Sequence, residues 1–277
     1  MSILYIVATP IGNLEDISMR ALRVLGEVDF ILCEDTRVTK KLLNHYKINT
    51  STISYHQHSD MKKIEQILEL LGQGKNLAMV ADAGTPGISD PGGKLVQAVI
   101  ERFNVGALRA TPVQIESVPG PSAVTAALSI SGIPTDKFVF LGFPPHKKGR
   151  QTFLQKVITS EYPVVVYESK HRIIKFLEEL KKVSAGCGAP APQQSSRLQR
   201  EVDSGRPPAL HEKALRAGGR PLSTKKMKDK KIQSIVVCRE LSKMHETVYR
   251  GEIKNIIEKI KNSRDDQKGE FVVVVGK

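Results

Sequence analysis

Four polar segments, each placed directly after an apolar run, hold most of the side chains in this sequence that could bind or react. They are TPIGNL at 9–14, CEDTR at 33–37, YHQHSD at 55–60 and DAGTPGISDPGG at 82–93. In CEDTR the guanidinium of Arg37 stands beside two carboxylates, Glu34 and Asp35. Its planar fork suits a phosphate, and a neighbouring carboxylate can accept a proton or orient the arginine. The same spacing also describes an ion pair capping the helix that follows, with acids at the N-terminal end. In DAGTPGISDPGG, Asp82 follows the run directly, and Gly84 and Gly87 leave main chain approachable. A ligand there can be held by amides and carbonyls plus one carboxylate. Asp90 before Pro91 equally fits a helix N-cap.

Other candidates carry less. His56 and His58 stand two apart on or beside a strand, which points them to opposite sides, so no shared metal site is expected. His245 is isolated and reads as a surface residue. GGKL at 92–95 lacks the Ser or Thr and the upstream glycine of a phosphate-binding loop, and GQGKN at 72–76 closes a helix instead of opening one. Neither ATP nor NAD is supported.

The elements that must position these residues alternate. Apolar runs LYIVA, DFILCED, TISYH and NLAMVA are separated by helical patterns at 18–25, 38–46 and 61–71. Such alternation implies a mainly parallel sheet covered on both faces, with ligands at the carboxyl ends of its strands. A second lobe opens at VPGPSAV (118–124), where Ser122 caps or binds and Ala123, Ala126 and Ala127 permit close packing. KFVFLGF, YPVVVYES, IQSIVVCREL and GEFVVVVGK supply further strands, with helices expected at 149–158, 171–182 and 252–261. The fold class is α/β with two lobes, 1–117 and 118–277, the second sheet mixed. The tract 184–224 is rich in Gly, Ala, Pro, Arg, Ser and Gln and reads as an irregular excursion, with a short helix at 209–217.

Lys and Arg outnumber Asp and Glu by 42 to 29 in 277 residues, a net +13 that favours a polyanionic partner. Cys33, Cys187 and Cys238 lack the paired spacing of a zinc site or disulfide framework and read as buried free thiols. No apolar run approaches the roughly 20 residues of a membrane helix. The opening MSILYIVATP reads as a first strand and not a leader, which places the chain in the cytoplasm.

YIVATPIGNLEDISMRAL, EDTRVTKKLL, DAGTPGISDPG and VPGPSAVTAALSISGIPTDKFVFLGFPP together resemble the ribosomal small-subunit RNA methyltransferase I group of the tetrapyrrole methylase superfamily. The likeness covers most of the first 182 residues and resumes at VVCREL and YRG. It implies an S-adenosylmethionine-dependent enzyme that methylates the ribose 2′-hydroxyl of a cytidine in the 16S ribosomal RNA decoding centre, acting as a homodimer with no membrane contact. It further implies a tetrapyrrole methylase-like fold of two α/β lobes, with the cofactor in the cleft between them. Asp82, Gly84, Thr85, Ile88 and Ser89 would lie beside the cofactor, Ser122 and Ala123 would close from the other lobe, and the turn carrying Pro10, Gly12 and Asn13 would border the same cleft.

Methyl transfer to a ribose hydroxyl needs the oxygen held in line and relieved of its proton. Asp35 or His56 can accept that proton while Arg37 grips a phosphate; Glu168 in VYESKHR is a further candidate. The sequence departs from the family at ERFNVGALRATPVQIES (101–117), which is long for a helix-to-strand link, at 184–224, and at Gln57 and Asp60. A tetrapyrrole methyltransferase and a noncatalytic RNA-binding protein are the rival readings.

Overall fold

The computed structural model describes residues 1–56, 59, 61–90, 92–103, 113–185, 232 and 234–276. Gln57, His58, Asp60, Pro91, Cys187 and the expected helix at 209–217 lie outside them.

The first lobe runs β1 (Ser2–Val7), α1 (Met19–Glu27), β2 (Phe30–Cys33), α2 (Thr36–His45), β3 (Ser51–Ser54), α3 (Met61–Gly72), β4 (Leu77–Val80), α4 (Gly92–Phe103) and β5 (Val113–Val118). Its strands form a parallel sheet in the order β3-β2-β4-β1-β5. β4 reads Leu-Ala-Met-Val and is buried throughout, because helices cover both faces. On one face Ala21, Val24 and Leu25 of α1 and Leu43 of α2 pack on Val7, Ile31 and Val80. On the other, Ile67 and Leu71 of α3 and Leu95 and Val99 of α4 pack on Leu4, Leu32 and Leu77. The helix starts are set locally. Ser18 caps α1 by accepting the Ala21 N–H at 3.1 Å, so the helix begins at Met19, one residue beyond the expected start.

The second lobe runs α5 (Ala123–Ser131), β6 (Val139–Phe140), α6 (Arg150–Thr159), β7 (Val164–Ser169), α7 (Ile173–Ala185), β8 (Ser234–Arg239), β9 (Thr247–Gly251), α8 (Ile253–Asn262) and β10 (Glu270–Gly276). Its sheet has the order β6-β7-β10-β8-β9, with β6 parallel to β7 and the other pairs antiparallel, the mixed sheet expected. Helix α5 covers one face and α6, α7 and α8 the other. In α8, Ile253, Ile256, Ile257 and Ile260 recur at helical spacing and form the inward stripe.

Two sequence expectations need correction, and one strand adds to them. Val113–Val118 is a strand paired along its length with β1, not part of a link. TVYRG forms β9, which the reading by apolar runs passes over. Ser184 and Ala185 close α7, so the helix enters the tract assigned to the excursion. Cys33 and Cys238 are free and buried. No helix among the described residues is long and apolar enough to cross a membrane.

Candidate active site

A cleft of about 480 Å³ opens between the two sheets at the ends of β4 and β7. Its first-lobe wall is Ala81 to Thr85 and Ile88 to Asp90, with Ile11 and Glu34 beside them. Ser122 and Ala123 at the start of α5, Phe143, Tyr167 to Ser169, Leu241 and Glu270 to Val272 form the second-lobe side.

Main-chain geometry builds the first wall. Gly84 and Gly87 adopt φ of 83° and 87°, a region open to glycine and costly to most residues. Gly84 exchanges two backbone hydrogen bonds with Thr9, at 2.9 and 3.0 Å, so the turn after β1 is stapled to the loop after β4. The Thr9 hydroxyl adds a bond to the Ala81 carbonyl at 3.0 Å. Asp90 accepts the N–H groups of Gly87 and Gly92, both at 2.7 Å, and so orders the loop before α4, as the capping alternative holds. Ser89 has φ of 65°, unusual for a residue with a side chain and typical of a site whose surroundings enforce it.

The lobes meet through this wall. Thr85 donates its hydroxyl to the Pro121 carbonyl at 3.0 Å. Ser122 holds the N-cap position of α5, yet its side chain makes no capping bond, which leaves the hydroxyl on the cleft. Asp82, Gly84, Thr85, Ile88, Ser89, Ser122 and Ala123 thus come together on one cavity. Pro10, Gly12 and Asn13 do not line it; Ile11 of the same turn does. Asn13 instead caps the short turn Leu14–Asp16 by accepting the Glu15 N–H at 3.1 Å. Gly12 lies against Lys243 and Leu241 of the second lobe, where a Cβ would run into Lys243 Cγ.

Asp35, Arg37 and His56 stand outside the cavity wall, at the ends of β2 and β3. Asp35 caps α2 through the Arg37 N–H at 2.8 Å and also receives Arg37 Nε at 3.0 Å and Nη2 at 2.7 Å. That pairing holds its carboxyl down at about 2. Both alternatives left open by the sequence, cap and ion pair, therefore coexist, and the arginine remains 87% exposed. Asp82 accepts the Asp35 N–H at 3.1 Å and connects this pair to the cleft. His56 is exposed, and its backbone N–H donates to Ser59 Oγ at 2.9 Å.

Glu34 differs from its neighbour. Burial, followed by the negative charges of Asp90 and Asp82, pushes its carboxyl up to about 6. On the opposite wall Glu168 is 1% exposed and lies 2.9 Å from Arg172 Nε. Its Oε1 accepts the Ser169 N–H at 2.8 Å, while Oε2 makes no hydrogen bond among the described residues. Burial raises this carboxyl despite the arginine. Sequence reasoning named Glu168 but missed Phe143, Tyr167, Leu241 and the start of β10. No local motif marks them; antiparallel pairing of β7 with β10 brings Ser169 opposite Glu270.

Both α/β lobes line this cleft, and comparison with known proteins gives the chain a class. The family model for Tetrapyrrole (Corrin/Porphyrin) Methylases matches residues 3–257. A ribosomal RNA small subunit methyltransferase I from Hydrogenobaculum sp. (strain Y04AAS1) is 36% identical over 276 residues, 99% of this chain and 95% of that protein. One from Thermotoga maritima is 41% identical over 206 residues, 74% of this chain and 89% of that protein. Among solved structures, diphthine synthase superposes with a TM-score of 0.62 at 11% identity, covering 100% of this chain and 90% of that one. A Thermus thermophilus uroporphyrin-III C-methyl transferase complexed with S-adenyl homocysteine gives 0.53 at 15% identity, covering 99% and 97%. The chain belongs to the tetrapyrrole methylase family and, within it, to the ribosomal RNA small subunit methyltransferase I group.

Proposed function

We propose that this chain methylates the ribose 2′-hydroxyl of a cytidine in 16S ribosomal RNA, as a cytoplasmic homodimer. The observation that carries the reading is the alignment of relatives named for small-subunit ribosomal RNA methylation along 98–99% of the chain. Its net +13 supports a polyanionic substrate over a tetrapyrrole.

The cofactor is S-adenosylmethionine, and the cleft residues fit it. Asp82 and Glu34 supply negative charge for a cationic donor, Gly84 keeps the main chain approachable, and Ile88 and Ala123 give apolar surface. Ser122, Ser89 and Thr85 add hydroxyls; that of Ser122 makes no capping bond and that of Thr85 donates to the Pro121 carbonyl. Pro10, Gly12 and Asn13 act from behind this wall by fixing the turn that carries Ile11. When bound, the cofactor supplies an electrophilic methyl group on a sulfonium.

The chain's own residues position the acceptor. Arg37, exposed and oriented by Asp35, grips a phosphate next to the target ribose. A carboxylate at about 2 is a weak base, so Asp35 orients Arg37, and His56 at the end of β3 or Glu168 on the cleft wall takes the proton. The test is transfer of labelled methyl from the cofactor to unmodified small ribosomal subunits, with the nucleotide mapped. Label on a base, on another RNA, or on a tetrapyrrole alone would overturn the reading, and RNA binding without cofactor binding would favour a noncatalytic protein. Sedimentation of the purified chain checks the dimer.

A further inference from the structure

The loop between β6 and α6, GFPPHKKG at 142–149, is exposed yet held from below by buried charge. Arg172 donates Nη1 to the Pro144 carbonyl at 3.2 Å while pairing with Glu168. Arg150, 7% exposed, donates Nη1 to the Pro145 carbonyl at 3.1 Å while pairing with Glu179 at 2.6 Å. Burying Arg150 and partly burying Arg172 carries a desolvation cost that an ordinary surface loop has no reason to incur. Gly142 and Gly149, with φ of 64° and 83°, set the bends at either end.

What this rigid loop presents is one aromatic ring and a row of cations. Phe143 is 51% exposed although it lines the cleft, and its inner side rests on Tyr167 with ring centroids 5.4 Å apart. Tyr167 is braced in turn by Phe140 at 4.9 Å. His146, Lys147 and Lys148 follow, all exposed, and Lys170 stands exposed on the adjoining turn that Arg172 ties to the same loop. A fixed aromatic face beside free cations is how proteins hold single-stranded nucleic acid: a base stacks on the ring and the phosphates track the charge.

We propose that the 142–149 loop is a platform for single-stranded RNA, with Phe143 stacking a base near the target nucleotide and Lys147 and Lys148 contacting its phosphates. The assignment rests on the reading of the chain as an RNA methyltransferase and names the second-lobe surface that reading needs. Arg150 and Arg172 are positioning residues.

The test uses the full chain, a single-stranded oligoribonucleotide spanning the mapped site, and binding measured between about 50 and 200 mM salt. Phe143→Leu should weaken RNA binding about tenfold or more, and Phe143→Tyr should retain it. Lys147→Ala with Lys148→Ala should reduce the slope of log affinity against log salt by about 0.7 per lysine. Equal RNA affinity and salt slope in these variants would overturn the platform. So would a Phe143→Leu variant that loses only cofactor affinity by calorimetry, since the ring would then serve the cofactor. A wild-type chain that neither binds nor methylates the RNA would instead overturn the underlying reading.

Discussion

Ser89 and Gly142 touch across the cleft: a Cβ added to Gly142 would lie 3.0 Å from the Ser89 hydroxyl oxygen. Both residues have positive φ, 65° and 64°, so two left-handed turns from different lobes meet back to back. Gly142→Ala should therefore destabilise the chain by about 1–2 kcal/mol through the left-handed backbone alone. It should also push Ser89 and lower cofactor affinity. Chemical denaturation and calorimetry read the two effects separately; unaltered cofactor affinity in the variant would show that the contact is slack.

Glu34 gives a pH signature. Its folded carboxyl, at about 6, lies above the ordinary 4.5, so the native chain holds this proton more tightly than the unfolded chain. The resulting stability is present in full below 4.5 and is lost as pH rises through 6. Glu34→Gln should raise the melting temperature relative to the wild type more near neutral pH than near pH 4.5. Because a cationic donor favours the ionised form, wild-type cofactor affinity should climb across the same window and the variant's should not. A parallel pH dependence in the two proteins would remove Glu34 from the cofactor's surroundings.

Arg37→Ala should weaken RNA binding and flatten its salt dependence while cofactor affinity stays near wild type, because the guanidinium lies outside the cleft wall and is mostly exposed. Filter binding across a salt series decides this. An unchanged slope assigns Arg37 to the cap of α2 alone.

Asp82→Asn keeps an oxygen for the Asp35 N–H and removes the charge. If the carboxylate makes a charge-assisted hydrogen bond to the cofactor, the variant should lose about 1.5–3 kcal/mol of binding, roughly ten- to a hundredfold in Kd. Calorimetry showing normal affinity would confine Asp82 to ordering the loop.

Arg172→Ala strands the Glu168 carboxylate, whose side chain is 0% exposed. Loss of one partner from a buried pair costs about 3–5 kcal/mol. Adding Glu168→Gln should restore part of that loss, since the stranded carboxylate is then removed. Amide exchange across 142–149 should quicken in both variants, because the Pro144 carbonyl loses its donor. Slow exchange there would mean that the loop is held by other contacts.

Much of the scaffold was legible from short-range pattern. LYIVA, FILC and LAMV announce themselves as doubly covered strands, and the helices carry caps or apolar stripes at readable spacing. Legibility fails where the sheet edge is half wet. Val113–Val118 alternates Val with Gln, Glu and Ser at the edge beside β1, and TVYRG is a short edge strand with an arginine in it. The first wall of the cleft could be read because one contiguous loop builds it. Of the second, Ser122, Ala123 and Glu168 could be read from local motifs, but Tyr167, Leu241 and Phe271 converge only through the order β7-β10-β8, which no local spacing encodes. The contrast between Asp35 and Glu34, adjacent in sequence and about 2 against about 6, likewise arises from which one meets Arg37 and which one turns inward.

The placement of β10 between β7 and β8 bears on how the molecule is made. Until residues 270–276 have left the ribosome, the strands on either side have no common neighbour, and their Val-rich flanks stay unzipped. The first lobe can close early in synthesis, whereas the second must wait for its keystone, so a stall just upstream of Glu270 would leave a half-built sheet exposed to self-association.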